Sequence, residues 1–269
     1  MHRLLRELDR ADAGRRSYSR PRGELRRQLT AYALAIGLAL TVGVIFANKQ
    51  FGVAVSMDGL QRRGPLSIPP AVVTGVGSFQ FSMTQPADPS RPVTYDPCRP
   101  IEYEVNDALA PDLGQRITED AVATIETATG LDFRYIGTSN RSPSTESRSP
   151  WAGREPVIIG WTTVDAVPEL RDRVAGVGGS TAREDGYTGD LEYVTGLVAL
   201  DAPQLKDILA RPDGEAQVQA IVTHEIAHLV GLDHVEDPNE LMYSNNIGRY
   251  DLGPGDREGL AALGSGRCY

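Results

Sequence analysis

The sequence has few cysteines, few histidines and, beyond its first 29 residues, no net positive charge. It contains two cysteines and four histidines in 269 residues, and no internal repeat is evident. Acidic residues outnumber lysine and arginine by 36 to 27, for a formal net charge of −9. Because residues 1–29 are basic, the acidic excess falls on the rest of the chain. This argues against nucleic acid or an anionic membrane surface as a partner of that part.

Residues 30–47 lack charge altogether. As a helix these 18 residues are about 27 Å long, close to the thickness of the hydrocarbon core of a membrane. Nine arginines against four acids precede them. We therefore predict a basic cytoplasmic arm over 1–29, a transmembrane helix over 30–47 and an extracytoplasmic remainder, which makes a single-pass protein of the cell membrane. The long basic arm and the preference for arginine over lysine indicate a bacterial protein.

Two other interpretations of the apolar run stay open. A cleaved signal peptide normally has a short basic region and a small-residue cleavage site, whereas Ile45, Phe46 and Ala47 form a poor one. A buried core helix would carry polar positions along one side, and this run has none. The uncleaved anchor is therefore favoured over both.

The only cysteines, Cys98 and Cys268, both follow the apolar run. One interpretation is a disulfide between them, and the other is two thiols that are free or bonded to another chain. An even cysteine count in an oxidising compartment favours the disulfide. Closing so long a loop contributes roughly 4–5 kcal/mol by loop-entropy arguments.

The remaining sequence divides into a tether and one domain. Residues 48–97 are rich in proline and glycine and predict an extracytoplasmic tether. Residues 98–269 are long enough for one domain with its own core. Alternation of apolar and polar residues predicts a half-buried strand at 101–105. The continuous apolar runs 157–161 and 197–200 predict central strands.

A short stretch of the domain carries three of the four histidines. It reads H-E-x-x-H-x-x-G-x-x-H from His224 to His234. Residues four apart share one helix face, so His224 and His228 can bind one ion, and Gly231 permits the turn that returns His234 to it. Three protein ligands leave a fourth position for water, as in catalytic zinc sites, and Glu225 can reach that water without being a ligand.

This motif resembles the metzincin clan of zinc peptidases, and within the clan its matrixin-like branch. Met242 and Tyr243 follow the third histidine as the methionine turn of the clan does, and Met242 is expected to form an apolar floor beneath the imidazoles. The matrixin spacing of the last helix is reproduced by Asp256, Gly259, Leu260 and Leu263. The resemblance implies a metzincin-like α/β (α+β) catalytic domain, with a mixed, mostly parallel twisted sheet, an active-site helix and a C-terminal helix.

The resemblance also implies an activity, namely a zinc metalloendopeptidase that hydrolyses proteins or peptides outside the cytoplasm. One Zn²⁺ would activate water, and Glu225 would act as the general base. Ca²⁺ is a lesser expectation, with Asp185, Asp190 and Asp201 as candidate ligands. Two alternatives remain: a catalytically weak or inactive zinc-binding module that recognises proteins at the cell envelope, and a structural protein of the envelope.

The sequence departs from the matrixin pattern at several positions. Val235 and Ser244 stand where serine and proline are usual, so the wall of the specificity pocket should differ. No cysteine precedes Cys98, so the inhibitory cysteine of the matrixin propeptide has no counterpart.

Overall fold

A computed structural model of the protein describes residues 64–144, 154–172, 174–245 and 248–269. All of them lie in the second of the two units into which the chain divides, Arg63–Tyr269. The predicted cytoplasmic arm and transmembrane helix lie outside the described residues, as does the first part of the predicted tether. Within the described ranges, no helix is both long enough and apolar enough to cross a membrane.

The described part of the chain contains nine strands, four α-helices and one short 3-10 helix. The strands are β1 (Gln80–Phe81), β2 (Thr84–Gln85), β3 (Asp88–Pro92), β4 (Ile101–Asn106), β5 (Phe133–Thr138), β6 (Val157–Thr162), β7 (Gly176–Glu184), β8 (Leu191–Asp201) and β9 (Leu232–Asp233). The helices are α1 (Gly114–Thr129), α2 (Ala202–Leu209), α3 (Gly214–Val230) and α4 (Pro254–Gly264), with the 3-10 helix at Pro168–Leu170.

Five strands form one sheet in the order β5-β4-β6-β8-β7. The first four run parallel to one another, and β7 is antiparallel to β8 at the edge. This is the mixed, mostly parallel sheet that the sequence predicts. The apolar runs at 157–161 and 197–200 lie in β6 and β8, in the middle of the sheet, and every residue of β6 is buried.

Both faces of the central strands are covered, and neighbouring residues face opposite ways as strand geometry requires. Ile159 and Val198 belong to the main core, which the sheet shares with α1, α3 and α4. Ile158 and Leu197 belong to a smaller cluster on the other face, closed by Val167 and residues near it. Burial on both faces explains why these strands read as continuous apolar runs rather than as alternating ones.

The structure extends the domain further towards the N-terminus than the sequence suggests. The predicted tether includes residues 64–97, but β1 pairs with β9 and the amide of Leu66 donates to the carbonyl of Pro97. Val93 and Tyr95 are buried in the main core. The strands in this segment have two to five residues, too short to show a periodicity between proline and glycine.

Cys98 and Cys268 form a disulfide across 170 residues of sequence. It joins the segment before β4 to the segment after α4. Nearby ion pairs also hold the chain end, because Arg267 and Arg91 both contact the carboxylate of Asp190. The disulfide therefore links the two ends of the domain predicted over 98–269.

Candidate metal centre

Helix α3 carries the first two histidines of the motif. It is apolar on nearly every side, and the residues around the motif, including Ile226, Ala227 and Leu229, are buried. His224 and His228 lie one turn apart on it, with ring centroids 4.7 Å from each other. Both side chains are only partly buried. The helix therefore presents two imidazoles from a fixed support to a surface that remains open to solvent.

The helix ends where the motif predicts. Gly231 has a left-handed backbone with φ of 118°, and its amide donates to the carbonyls of Ala227 and His228. A β-carbon at this position would lie 3.0 Å from the ring of Tyr193 and 3.1 Å from Leu263. Both the positive φ and the close neighbours favour glycine here.

His234 follows the short strand β9 and completes a cluster of three imidazoles. Its Nε2 lies 3.1 Å from Nε2 of His224 and 3.2 Å from Nε2 of His228. Nitrogens about 2.0–2.1 Å from a tetrahedral zinc lie about 3.3 Å from one another. These spacings fit a single zinc ion held by all three imidazoles, which would leave a fourth tetrahedral position for water.

Backbone carbonyls orient two of these rings. Nδ1 of His224 lies 2.9 Å from the carbonyl oxygen of Leu241, and Nδ1 of His228 lies 2.8 Å from that of Leu232. A carbonyl only accepts, so each Nδ1 carries the proton and each Nε2 keeps its lone pair for a metal.

The same two rings are kept neutral. Burial and, to a lesser degree, the neighbouring His228 lower the pKa of His224 to about 3. Burial is also the main reason that the pKa of His228 lies below its ordinary value. Neutral imidazole is the form that binds metal, so neither ring has to lose a proton first.

Glu225 is buried between α3 and the edge strand β7. The two backbones approach closely because β7 has glycines there: a β-carbon on Gly178 would lie 2.0 Å from the carbonyl oxygen of Glu225, and one on Gly176 would lie 2.6 Å from its Cγ. Burial raises the pKa of Glu225 to about 8, even though the hydrogen bond with the Gly178 backbone opposes this shift. A nearby cation would favour the ionised form.

Met242 occupies a buried turn next to the site. Its side chain belongs to the main core, and its amide and that of Leu241 donate to the carboxylate of Asp256 at the start of α4. The carbonyl oxygen of Leu241 also accepts the hydrogen bond from Nδ1 of His224. Asp256, which the sequence marked only by its spacing, thus holds the turn that orients a candidate ligand.

A second carboxylate beneath this turn was not identified from the sequence. Glu240 is 1% exposed and accepts hydrogen bonds from the amides of Ser78, Gly255 and Asp256. Its only signal is an acidic residue immediately before the apolar pair Leu241 and Met242. That pattern does not distinguish a buried carboxylate from a solvated one.

The histidine cluster and Glu225 line a cavity of about 700 Å³. Tyr243 and Ser244 line it from the turn, and residues 174–178 line it from the side of β7. Arg249 also lines the cavity, although no motif or spacing in the sequence singles it out. An open cleft of this size can accommodate several residues of a peptide.

The three candidate calcium ligands have other partners. Asp185 accepts from Thr188, Asp190 pairs with arginines, and Asp201 caps α2 by accepting from the amide of Gln204. Within the described ranges, these three carboxylates do not gather into a group that could hold a metal. The expectation of calcium therefore gains no structural support.

The site has the parts of a metal-dependent hydrolase, because an open metal position beside a carboxylate is what hydrolysis by activated water requires. Comparison with known families agrees. Residues 160–263 match the matrixin family, and they include the three histidines, Glu225 and Met242. This part of the chain is a matrixin-like metallopeptidase, and the family implies a catalytic zinc that the three histidines can hold. No curated protein matches the chain.

Proposed function

We propose that the protein is a zinc-dependent endopeptidase in which Glu225 is the general base. The observation that carries the proposal is the convergence of three imidazole nitrogens beside a buried carboxylate, at the wall of an open cavity. A cavity that is open to solvent suits an extended chain, which is why we favour internal peptide bonds as the substrate.

The protein's own residues would carry the proton transfers. Bound zinc supplies Lewis acidity, which makes a water acidic near neutral pH and polarises the peptide carbonyl. Glu225 takes a proton from the attacking water and delivers it to the departing nitrogen. The amide of Gly178 holds the carboxylate in place between these steps. Burial raises the pKa of Glu225 and a bound cation would lower it, and these opposing effects suit a group that must both accept and release a proton.

We further propose that the substrates are proteins outside the cytoplasm. The charge pattern around residues 30–47 supports a membrane anchor with the domain on the outer side. The disulfide between Cys98 and Cys268 is consistent with that side, because disulfides persist in oxidising compartments.

Metal analysis and a peptide digest of the purified full-length protein test the proposal together. We expect about one zinc per chain after metal repletion, as the three-histidine site requires, and cleavage within a peptide library that stops when a chelator is added. Zinc binding without cleavage would favour the alternative of an inactive recognition module. Less than about half a zinc per chain would remove the proposal.

A further inference from the structure

A segment before the matrixin-matched region lies directly against the metal centre. We call residues 75–82 the strap. Within the strap, β1 pairs antiparallel with β9, so that Gln80 lies opposite Asp233 and Phe81 opposite Leu232. The amide of Ser82 then donates to the carbonyl of Gly231 at 2.9 Å. The strap therefore runs along the short stretch that leads from the end of α3 to His234.

The hydroxyl of Ser82 shares a carbonyl with one of the candidate metal ligands. It donates to the oxygen of Leu232 at 2.8 Å, and the same oxygen receives Nδ1 of His228 at 2.8 Å. A carbonyl oxygen has two lone pairs, and here both have a donor. The position of this oxygen sets the direction of the His228 ring, and Ser82 is a group outside the motif that bonds to it.

The other end of the strap reaches the support of His224. The amide of Ser78 donates a hydrogen bond to the carboxylate of Glu240, which also accepts hydrogen bonds from the amides of Gly255 and Asp256. Asp256 in turn holds Leu241, whose carbonyl orients His224. Gly77 packs so tightly that a β-carbon on it would lie 2.1 Å from the amide nitrogen of Gly255.

We propose that the strap is a positioning element of the metal centre, and that Ser82 is a positioning residue that acts on His228 through the carbonyl of Leu232. The inference rests on the proposed function for the identity of the metal. A ligand ring whose orientation is less well fixed binds zinc more weakly, and partners of this kind are typically worth 10–100-fold in metal affinity or activity.

The test compares two substitutions in the strap with matched controls in the full-length protein. Ser82→Ala removes the hydroxyl, and its control is Ser90→Ala, because the exposed Ser90 bonds to Asp88 within its own strand, β3, and does not line the cavity. Gly77→Ala forces the strap off Gly255, and its control is Gly64→Ala, which meets nothing within 4 Å. Zinc affinity is measured by competition with a chelator, and the Tm of the zinc-free protein is recorded in parallel.

We expect Ser82→Ala to weaken zinc binding about tenfold while the Tm of the zinc-free protein stays near that of its control, and Gly77→Ala to weaken it further. Ser82→Thr, which keeps the hydroxyl, should restore the affinity. The inference is overturned if both strap variants bind zinc as tightly as their controls, or if Ser82→Thr behaves like Ser82→Ala. If the unaltered protein binds no zinc, the proposed function is wrong, and the inference about the strap is wrong with it. If the unaltered protein binds zinc and cleaves peptides, the proposed function stands and the variants test the strap alone.

Discussion

The chemistry of Glu225 depends on two backbones that lie unusually close together. Its carboxylate is buried against β7, which raises its pKa to about 8, and it is hydrogen bonded to the amide of Gly178. Glu225 and its neighbour His224 both line the open cavity, so the proposed base and a candidate ligand leave the helix from adjacent positions. The carboxylate of Glu225 is thus largely buried, while the imidazole of His224 remains available to a metal.

Replacing Glu225 separates the role of the base from that of the metal. Glu225→Gln keeps the size of the side chain and an oxygen for Gly178, so zinc binding should persist. It lacks the carboxylate that moves the proton, and kcat should fall by at least about 10². His228→Ala is the comparison, because it should lose both zinc and activity. Metal content and peptide hydrolysis are measured on the same samples; a Glu225→Gln enzyme of near-normal rate would mean that another group is the base.

At the scale of elements, the close approach of α3 and β7 creates the buried position of Glu225, the proposed base. Gly178 and Gly176 have no side chains to hold the two elements apart, whereas a β-carbon on Gly179 would meet nothing within 4 Å. Helix α3 is also held by α1 on its other flank. A shift of the edge strand β7 would therefore disturb the site.

Gly178→Ala tests this packing, and Gly179→Ala is its control one residue away. The β-carbon at 178 would meet the backbone oxygen of Glu225 at 2.0 Å, a group that cannot rotate aside. We expect the free energy of unfolding to fall by about 1–3 kcal/mol and hydrolysis to drop with it, since overpacking shifts backbones. Gly179→Ala should leave both near their original values. Urea unfolding and peptide hydrolysis provide the measurements, and equal effects of the two variants would contradict the packing argument.

At the scale of the whole molecule, the disulfide is a long-range covalent tie that can be altered without touching the cavity. Cys98 and Cys268 are 170 residues apart, and neither lines the cavity. Replacing both by serine should lower the free energy of unfolding by up to about 4–5 kcal/mol, because the unfolded chain regains its loop entropy. Zinc affinity of the folded protein should not change. Denaturant unfolding with and without a reducing agent checks this: the unaltered protein should respond to the reductant and the double variant should not.

The orientation of the chain in the membrane is a separate prediction from residues 1–47. Nine arginines before an uncharged run should keep the N-terminus inside and place the peptidase domain outside. Protease added to intact cells should then remove the domain together with a known surface marker. Protection of the domain would show that the anchor or its orientation is misassigned. A secreted form that begins near residue 48 would show instead that the run was a cleaved signal.

The sequence by itself determined the parts of this protein that depend on local spacing. The interval between His224 and His228 follows from the helical period, and Gly231 marks the turn because few other residues adopt its backbone conformation. Continuous apolar runs located the central strands β6 and β8, since strands buried on both faces have no polar alternation. The type of site and the class of fold could therefore be predicted.

Only the tertiary structure decided which distant groups support that site. The strap looks like a tether in sequence, because two-residue strands among glycines and prolines carry no periodicity, and its pairing with β9 joins residues about 150 positions apart. The sequence alone would place Glu240 on the surface, whereas in the folded chain it accepts hydrogen bonds from the amides of Ser78, Gly255 and Asp256. Local spacing fixes which side chains share a helix face, whereas burial and the sharing of a carbonyl between Ser82 and His228 depend on contacts that form only when the whole chain has folded.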